Sequence, residues 1–130
     1  MSTLLEEKEA IRELLSSYCI HTDRKNAEAR AALFADDAVW DAGKFGRYEG
    51  KQALRAYMDK SASGGTKFRH FTVNEMITVA GDTASALSYV LVLKLKDDGA
   101  PELFSARFYE DRLVKSGGRW LFKSRVIQAN

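Results

Sequence analysis

Two short segments of this sequence carry side chains suited to proton transfer. One is Tyr18-Cys-Ile-His-Thr-Asp23, which ends in a carboxylate, and the other is Arg69-His-Phe-Thr-Val-Asn74, which contains His70. A carboxylate beside an imidazole fixes the tautomer of the ring and stabilises the imidazolium, so the ring can take up and return a proton near neutral pH. If the fold brings Asp23 and His70 together, the sequence predicts an acid–base enzyme. If it does not, the chain is a domain without this chemistry.

The first of the elements that must position these residues is a long amphipathic helix. Thr3 and Glu6 form a capping-box signature, and apolar residues then recur at helical spacing until Asp23. A short second helix is expected after Asn26, with Phe34 on its buried side. Asp23 is therefore expected at the end of the first helix.

The remainder of the chain changes from helix to strand. A short strand is expected over Ala38–Ala42, followed by a turn over Gly43–Gly46 and a third helix that Gly50 opens. Four long β-rich segments separated by hairpin turns follow, over Lys67–Ala80, Thr83–Lys96, Glu102–Val114 and Arg119–Gln128. This order predicts an α+β domain, with helices packed on one face of a curved antiparallel sheet.

Strand alternation predicts which side chains share a face. His70, Asn74 and Met76 are expected on one face of the first long strand, unless a bulge shifts the register. In the last strand, Lys123 and Arg125 are expected to share a face. Ionisable residues flanked by apolar ones indicate either a solvated face or a pocket with a few polar groups.

The bulk composition narrows the class of protein. The 130 residues are expected to form a single domain, 1–130, with a net charge of +2. Basic and acidic residues alternate, which is not typical of a nucleic-acid-binding surface. No apolar run has the length of a membrane span. The single cysteine, Cys19, and the lack of a signal-peptide pattern favour a cytoplasmic protein.

The sequence contains no recognised cofactor motif. Two distant histidines and one cysteine fit no zinc pattern, so no metal ligands are assigned. The glycine pairs Gly64-Gly65 and Gly117-Gly118 lack the context of a phosphate-binding loop. We therefore expect a reaction without a cofactor.

Five segments spread over the chain carry a resemblance to a known family. They are Ala10-Ile-Arg-Glu-Leu-Leu, Leu33-Phe-Ala-Asp-Asp-Ala-Val-Trp40, His70 to Asn74, Tyr109-Glu-Asp-Arg-Leu and Trp120-Leu-Phe-Lys-Ser-Arg125. Together they resemble the SnoaL-like group of the nuclear-transport-factor-like superfamily. The resemblance covers nearly the whole chain and implies a cone-shaped, curved antiparallel sheet packed against three N-terminal helices.

The resemblance also implies residue roles. Asp23 and His70 match the Asp–His pair of scytalone dehydratase, bile-acid dehydratase and hexachlorocyclohexane dehydrochlorinase. Tyr18 stands where the bile-acid dehydratase has a catalytic tyrosine and the dehydrochlorinase a lysine, which favours dehydration over halide elimination. Arg125 lies in a segment similar to the dehydrochlorinase, which implies binding of an anion or a leaving group.

Further residues are expected at a substrate cavity. Trp40, Phe45 and Phe104 are aromatic and could line it, with ordinary core packing as the alternative. Asn74 is the fourth candidate for substrate binding, and it could instead bond to the backbone at the end of the first helix.

These observations lead to one functional hypothesis and its rivals. The leading hypothesis is a dehydratase-like lyase, without cofactor, for a small, hydrophobic and cyclic substrate. The alternatives are an isomerase of the same fold, a non-catalytic ligand-binding domain, or an accessory subunit of an oxygenase. A homodimer is expected, with Thr83–Leu95 and Leu103–Leu113 as its interface.

Overall fold

The computed structural model describes residues 2–129 as three helices and a six-stranded sheet. The sheet order is β2-β1-β6-β5-β4-β3. The elements are α1 (Leu4–Asp23), α2 (Ala27–Ala31), β1 (Phe34–Asp41), a 3-10 turn (Gly43–Phe45), β2 (Arg47–Glu49), α3 (Lys51–Ala62), β3 (Lys67–Ala80), β4 (Thr83–Leu95), β5 (Pro101–Ser116) and β6 (Arg119–Gln128).

Helix α1 begins and ends where its sequence signals predict. The Thr3 hydroxyl accepts a hydrogen bond from the Glu6 amide, and the Glu6 carboxylate accepts one from the Thr3 amide, both at 3.1 Å. This reciprocal pair satisfies two of the amides that every helix start leaves free. The predicted capping box is confirmed, and the helix ends at Asp23.

The predicted α+β fold, a curved sheet packed against three helices, is confirmed. The sheet is mixed instead of antiparallel throughout. Strand β1 runs parallel to β6, and all the other neighbours are antiparallel. The short second helix ends at Ala31, and Phe34 begins β1 instead of belonging to the helix. The Leu33 carbonyl accepts a hydrogen bond from the Phe122 amide, so the backbone here already pairs with the sheet.

A β-bulge divides β3 into two registers. The pairing with β4 shifts between Val73 and Met76, and Asn74 adopts a φ of 58°. Before the bulge, His70 points inward; after it, Met76 is 71% exposed on the outer face. The expectation that Asn74 and Met76 share the face of His70 is therefore wrong, because the extra residue turns the later side chains over.

A second irregularity does the same in β6. Leu113 pairs with Phe122 and Arg112 with Ser124, which leaves Lys123 without a partner across the strand. Lys123 is exposed, whereas Arg125 is completely buried on the side of Phe122. The predicted common face of Lys123 and Arg125 is wrong for this reason.

The core lies between the helices and the inner face of the sheet. Among residues 2–129, no helix combines the length and the apolar character needed to cross a membrane. The buried apolar side chains are Ile11, Leu14, Leu15, Tyr18, Cys19, Phe34, Ala38, Trp40, Leu54, Met58, Ile77, Ala86, Val90, Val92, Tyr109, Leu113, Trp120 and Phe122.

Candidate active site

Asp23 and His70 meet where the end of α1 packs against β3. The Asp23 carboxylate accepts two hydrogen bonds, one from His70 Nδ1 at 2.6 Å and one from the His70 backbone amide at 2.8 Å. A carboxylate only accepts, so the bonded Nδ1 carries the proton and a neutral ring presents the lone pair of Nε2. Asp23 thus fixes both the tautomer and the orientation of the imidazole.

A second contact ties the same two elements together. The Cys19 thiol and the Thr72 hydroxyl lie 3.2 Å apart, one helical turn before Asp23 and two residues after His70. Cys19 is buried, and burial raises the pKa of its thiol. This thiol is therefore a packing and hydrogen-bonding group at neutral pH.

The imidazole of His70 forms part of the wall of a cavity of about 240 Å³. A cavity of about 150 Å³ accommodates benzene, and drug-sized ligands occupy about 300–1,000 Å³. The space therefore suits a molecule of one or two rings. The lining residues are Tyr18, Thr22, Arg30, Trp40, Tyr57, Ser61, Phe68, His70, Val90, Val92, Phe104, Ser105, Arg107, Tyr109 and Ile127.

The hydroxyl of Tyr18 is held by two donors. It accepts hydrogen bonds from Arg30 Nη2 at 2.7 Å and from Trp40 Nε1 at 2.9 Å. A phenol oxygen has room for two accepted bonds, so its remaining capacity is to donate its own proton. Since Tyr18 also lines the cavity, this arrangement makes it a hydrogen-bond donor towards a bound molecule.

Arg30 is a site residue that sequence reasoning missed. It lies on α2, is only 4% exposed and lines the cavity. Its Cζ lies 4.9 Å from the ring centroid of Tyr18 and 5.5 Å from that of Tyr57. Burial alone lowers the pKa of Arg30, but Tyr18 and Tyr57 outweigh it and the pKa is raised above its ordinary value. In the sequence this arginine looks like any arginine of a surface helix, so no local signal marks it.

Two other tyrosines of the wall, Tyr57 and Tyr109, are neutral phenols. Burial raises the pKa of Tyr57, and it raises the pKa of Tyr109 well above the ordinary value. Tyr57 packs on Trp40 with ring centroids 4.6 Å apart and stacks on Tyr48 at 4.3 Å. The wall is therefore aromatic, with hydroxyl groups at a few fixed positions.

Arg125 lies behind the cavity wall. It is completely buried and bonded to both carboxylate oxygens of Asp111, at 2.8 and 3.0 Å. Its guanidinium Cζ is 3.5 Å from the ring centroid of Tyr109 and 4.3 Å from that of Tyr18. The structure does not bring Arg125 to the cavity; it supports two of the tyrosines that do line it.

Of the other four predicted substrate-binding residues, two line the cavity and two do not. Trp40 and Phe104 line the cavity. Phe45 does not line it and is 61% exposed, but its ring centroid lies 5.2 Å from the guanidinium of Arg107, which is part of the wall. Asn74 borders a separate surface depression.

Within residues 2–129, no group of three or more histidine, cysteine, aspartate or glutamate side chains has an arrangement that could hold a metal ion. The polar groups that face the cavity are instead imidazole, phenol, alcohol and guanidinium. Together they can remove a proton, donate hydrogen bonds and stabilise negative charge.

Comparison with known proteins identifies a family and similar folds for this chain. The family model of the SnoaL-like domain matches residues 3–126. A search of the curated proteins found no match. A protein of unknown function from Mycobacterium tuberculosis, Rv3472 with a D26N substitution, is similar over 97% of this chain and 73% of its own, with 27% identity and a TM-score of 0.88.

Two structures from Novosphingobium aromaticivorans are also similar. A candidate scytalone dehydratase matches with 26% identity and a TM-score of 0.85, over 97% of this chain and 85% of its own. The β subunit of a candidate aromatic-ring-hydroxylating dioxygenase matches with 24% identity and a TM-score of 0.86, over 97% and 90%. The second likeness shows the fold alone.

Proposed function

The chain belongs to the SnoaL-like family, and we propose that it is a dehydratase-like lyase that needs no cofactor. The observation that carries this proposal is the hydrogen bond of 2.6 Å between His70 Nδ1 and Asp23 at a cavity that Tyr18 also lines. A base and a hydrogen-bond donor then face the same bound molecule.

The proposed reaction begins at Nε2 of His70. This nitrogen removes a proton from the carbon next to an activating carbonyl, and the electron pair of the C–H bond becomes a new C=C bond. The C–O bond of a hydroxyl on the next carbon breaks, and the imidazolium gives its proton to the departing oxygen. The products are one unsaturated molecule and one water, and the base is regenerated.

Asp23 and Tyr18 have distinct roles in this scheme. Asp23 stabilises the imidazolium that forms during the reaction. The hydroxyl of Tyr18 donates to the oxygen on which negative charge develops, and the donors behind it, Arg30 and Trp40, hold it in place. A positioned acid or base contributes about 10²–10⁴-fold to the rate.

The cavity supports a small, largely apolar and cyclic substrate. Its volume of about 240 Å³ leaves room for one or two rings. Trp40, Tyr57, Phe68 and Phe104 offer flat apolar surfaces, against which a ring packs better than a linear chain.

Proton abstraction can be tested before the natural substrate is known. The protein is incubated in D₂O with a panel of cyclic ketones and β-hydroxy ketones, and exchange at the α-carbon is followed by proton NMR. Dehydration of the hydroxy ketones is followed through the ultraviolet absorbance of the conjugated product.

The decisive variant is His70→Gln, and His21→Gln is its control. The control removes the other histidine of the chain, which lies on α1 outside the cavity lining. We expect exchange to be lost in the first variant and kept in the second. Exchange at the α-carbon by His70→Gln at the wild-type rate would refute the proposal.

Two other functions remain as alternatives. In an isomerase, the imidazolium of His70 returns the proton to a different carbon, so exchange occurs without loss of water. In the other alternative the chain is an accessory subunit of an oxygenase, a class of protein whose β subunit can share this fold. Co-purification with a large partner and no exchange activity would support that second function.

A homodimer is also part of the proposal. The interface predicted from the sequence lies on β4 and β5, where Leu87, Tyr89, Leu91 and Leu103 are exposed. On the neighbouring β3, exposed Phe71 pairs with Leu91 and exposed Met76 with Leu87. Exposed apolar patches of this kind mark interaction sites. Sedimentation at micromolar concentration tests it, and a monomer would refute it. The cytoplasmic location stays a prediction from the sequence.

A further inference from the structure

The charged side chains that line the cavity are positive. Two arginines, Arg30 and Arg107, belong to the wall, and no aspartate or glutamate among residues 2–129 lines it. The carboxylate closest to the chemistry, Asp23, is already engaged by both the ring and the amide of His70. A molecule in this space therefore meets an excess of positive charge.

Arg30 is the deeper of the two and has no ionic partner. None of the ion pairs formed by residues 2–129 includes it. Its Nε is buried and has no hydrogen-bond partner within that same range. A guanidinium removed from water without a carboxylate is costly, and buried charges are ordinarily paired.

The contacts that Arg30 does make offset only part of this cost. Its Nη2 donates to the hydroxyl of Tyr18, and its guanidinium lies near the rings of Tyr18 and Tyr57. If its only role were to hold Tyr18, a neutral donor such as Trp40 would suffice, and Trp40 already supplies one. The positive charge of Arg30 therefore indicates a negatively charged ligand.

Buried Arg125 provides an internal comparison. It is even less exposed than Arg30, but both oxygens of Asp111 bond to it. The fold thus supplies a carboxylate to the arginine that lies behind the wall and none to the arginine that lines the cavity. The second carboxylate is expected to arrive with the ligand.

We propose that the substrate carries a carboxylate, and that Arg30 binds it inside the cavity. The substrate class is then a small cyclic acid, with its reacting carbon held against His70. Guanidinium and carboxylate match in charge and in their planar, two-pronged geometry. Arg107 adds positive charge at another part of the wall, where the ring of Phe45 packs against it. This inference rests on the proposed function, because it takes the same cavity as the substrate site.

The test compares two probes of nearly equal shape, sodium benzoate and benzamide. Both fit a cavity that is larger than a benzene site, and only benzoate is charged. Binding is followed by tryptophan fluorescence, because Trp40 lines the cavity while the other tryptophan, Trp120, is buried in the core. We expect the wild-type Kd for benzoate to be at least tenfold lower than for benzamide.

Two variants separate charge from shape. In Arg30→Met the preference for benzoate should disappear, so that the two probes bind with similar affinity. Arg24→Met, which removes an exposed arginine just after α1, should keep the preference. Equal affinity of the two probes for the wild-type protein overturns the proposal, and this comparison needs no variant to fold. Retention of the preference in a folded Arg30→Met protein overturns it as well.

The same probes distinguish this inference from the proposed function. His70→Gln should keep the preference for benzoate over benzamide, because His70 does not hold the carboxylate, while it loses proton exchange. Equal affinity of the wild-type protein for the two probes, with its proton exchange intact, refutes the carboxylate site alone. Exchange that survives His70→Gln refutes the acid–base role and leaves the anion site standing.

Discussion

The sharpest prediction concerns Asp23→Asn, which changes one oxygen of the site to an NH₂ group. Asp23 accepts hydrogen bonds from both the ring and the backbone amide of His70. An asparagine has a single acceptor oxygen, so it keeps one of these bonds and turns an NH₂ donor against the other N–H. The negative charge that opposes the imidazolium is lost as well.

The magnitude of the effect follows from the type of bond. A hydrogen bond to a charged group contributes about 1.5–3 kcal/mol, and a buried donor left without a partner costs about 1–3 kcal/mol. The side chains of Asp23 and His70 are only 10% and 17% exposed, so solvent does not replace the lost bond. We expect the free energy of unfolding in urea to fall by about 1.5–3 kcal/mol. The corresponding equilibrium changes by about 10- to 150-fold.

The assay that reports on the mechanism is NMR of the imidazole nitrogens. The chain has only two histidines, so His21→Gln assigns the signals of His70. In the wild type at pH 9, the Nδ1 of His70 should carry the proton. In Asp23→Asn, the nitrogen shifts should move towards those of His21.

A surface carboxylate provides the control for Asp23→Asn. Asp36 has a side chain that is 88% exposed and pairs with the exposed surface residue Lys51, so Asp36→Asn should change stability by less than about 0.5 kcal/mol. If the proton of wild-type His70 lies on Nε2, or if its ring signals are unchanged in Asp23→Asn, the carboxylate does not set the tautomer. That result would refute the reasoning.

Three further predictions test the surroundings of the site. Tyr18→Phe should slow proton exchange by at least tenfold, because the donor to the substrate is lost. It should also lower the free energy of unfolding by about 2 kcal/mol, because the buried donors Arg30 and Trp40 lose their acceptor. A variant that exchanges at the wild-type rate would contradict the donor role. Arg125→Met should lower the free energy of unfolding by about 3–5 kcal/mol, since Asp111 is left as a buried, uncompensated charge; a second change, Asp111→Leu, should recover most of it in urea titrations. Burial raises the pKa of the Cys19 thiol. Iodoacetamide at pH 8 should therefore modify Cys19 far more slowly in the folded protein than in the unfolded protein, as followed by mass spectrometry. Equal rates would show that the thiol is accessible.

The sequence predicts the element order well because its signals are local. The capping box at Thr3 sets the start of α1, and the hairpin turn at Gly81-Asp82 sets the end of β3, Lys67–Ala80. These features depend on neighbours a few residues away. The meeting of Asp23 and His70 was expected from the resemblance to a family, since no local pattern can bring a helix end to a distant strand.

The errors have a common physical origin in tertiary structure. The bulges at Asn74 and Lys123 each insert one residue, and a shift of one residue turns every later side chain to the other face. Arg125 moved from an expected solvated or ligand-binding face into the core in this way. Arg30 was missed for the opposite reason, because a short helix with small neighbours reveals nothing about what packs over it.

The position of Asp23 at the last residue of α1 has a consequence for heat inactivation. Helix ends open at a lower free energy than the core of a sheet, and the carboxylate that orients the imidazole lies on such an end. Warming should therefore release the ring of His70 while β3–β6 remain paired. The proposed activity should therefore decline reversibly below the melting temperature. The temperature optimum should be set by the opening of the last turn of α1, which carries Asp23.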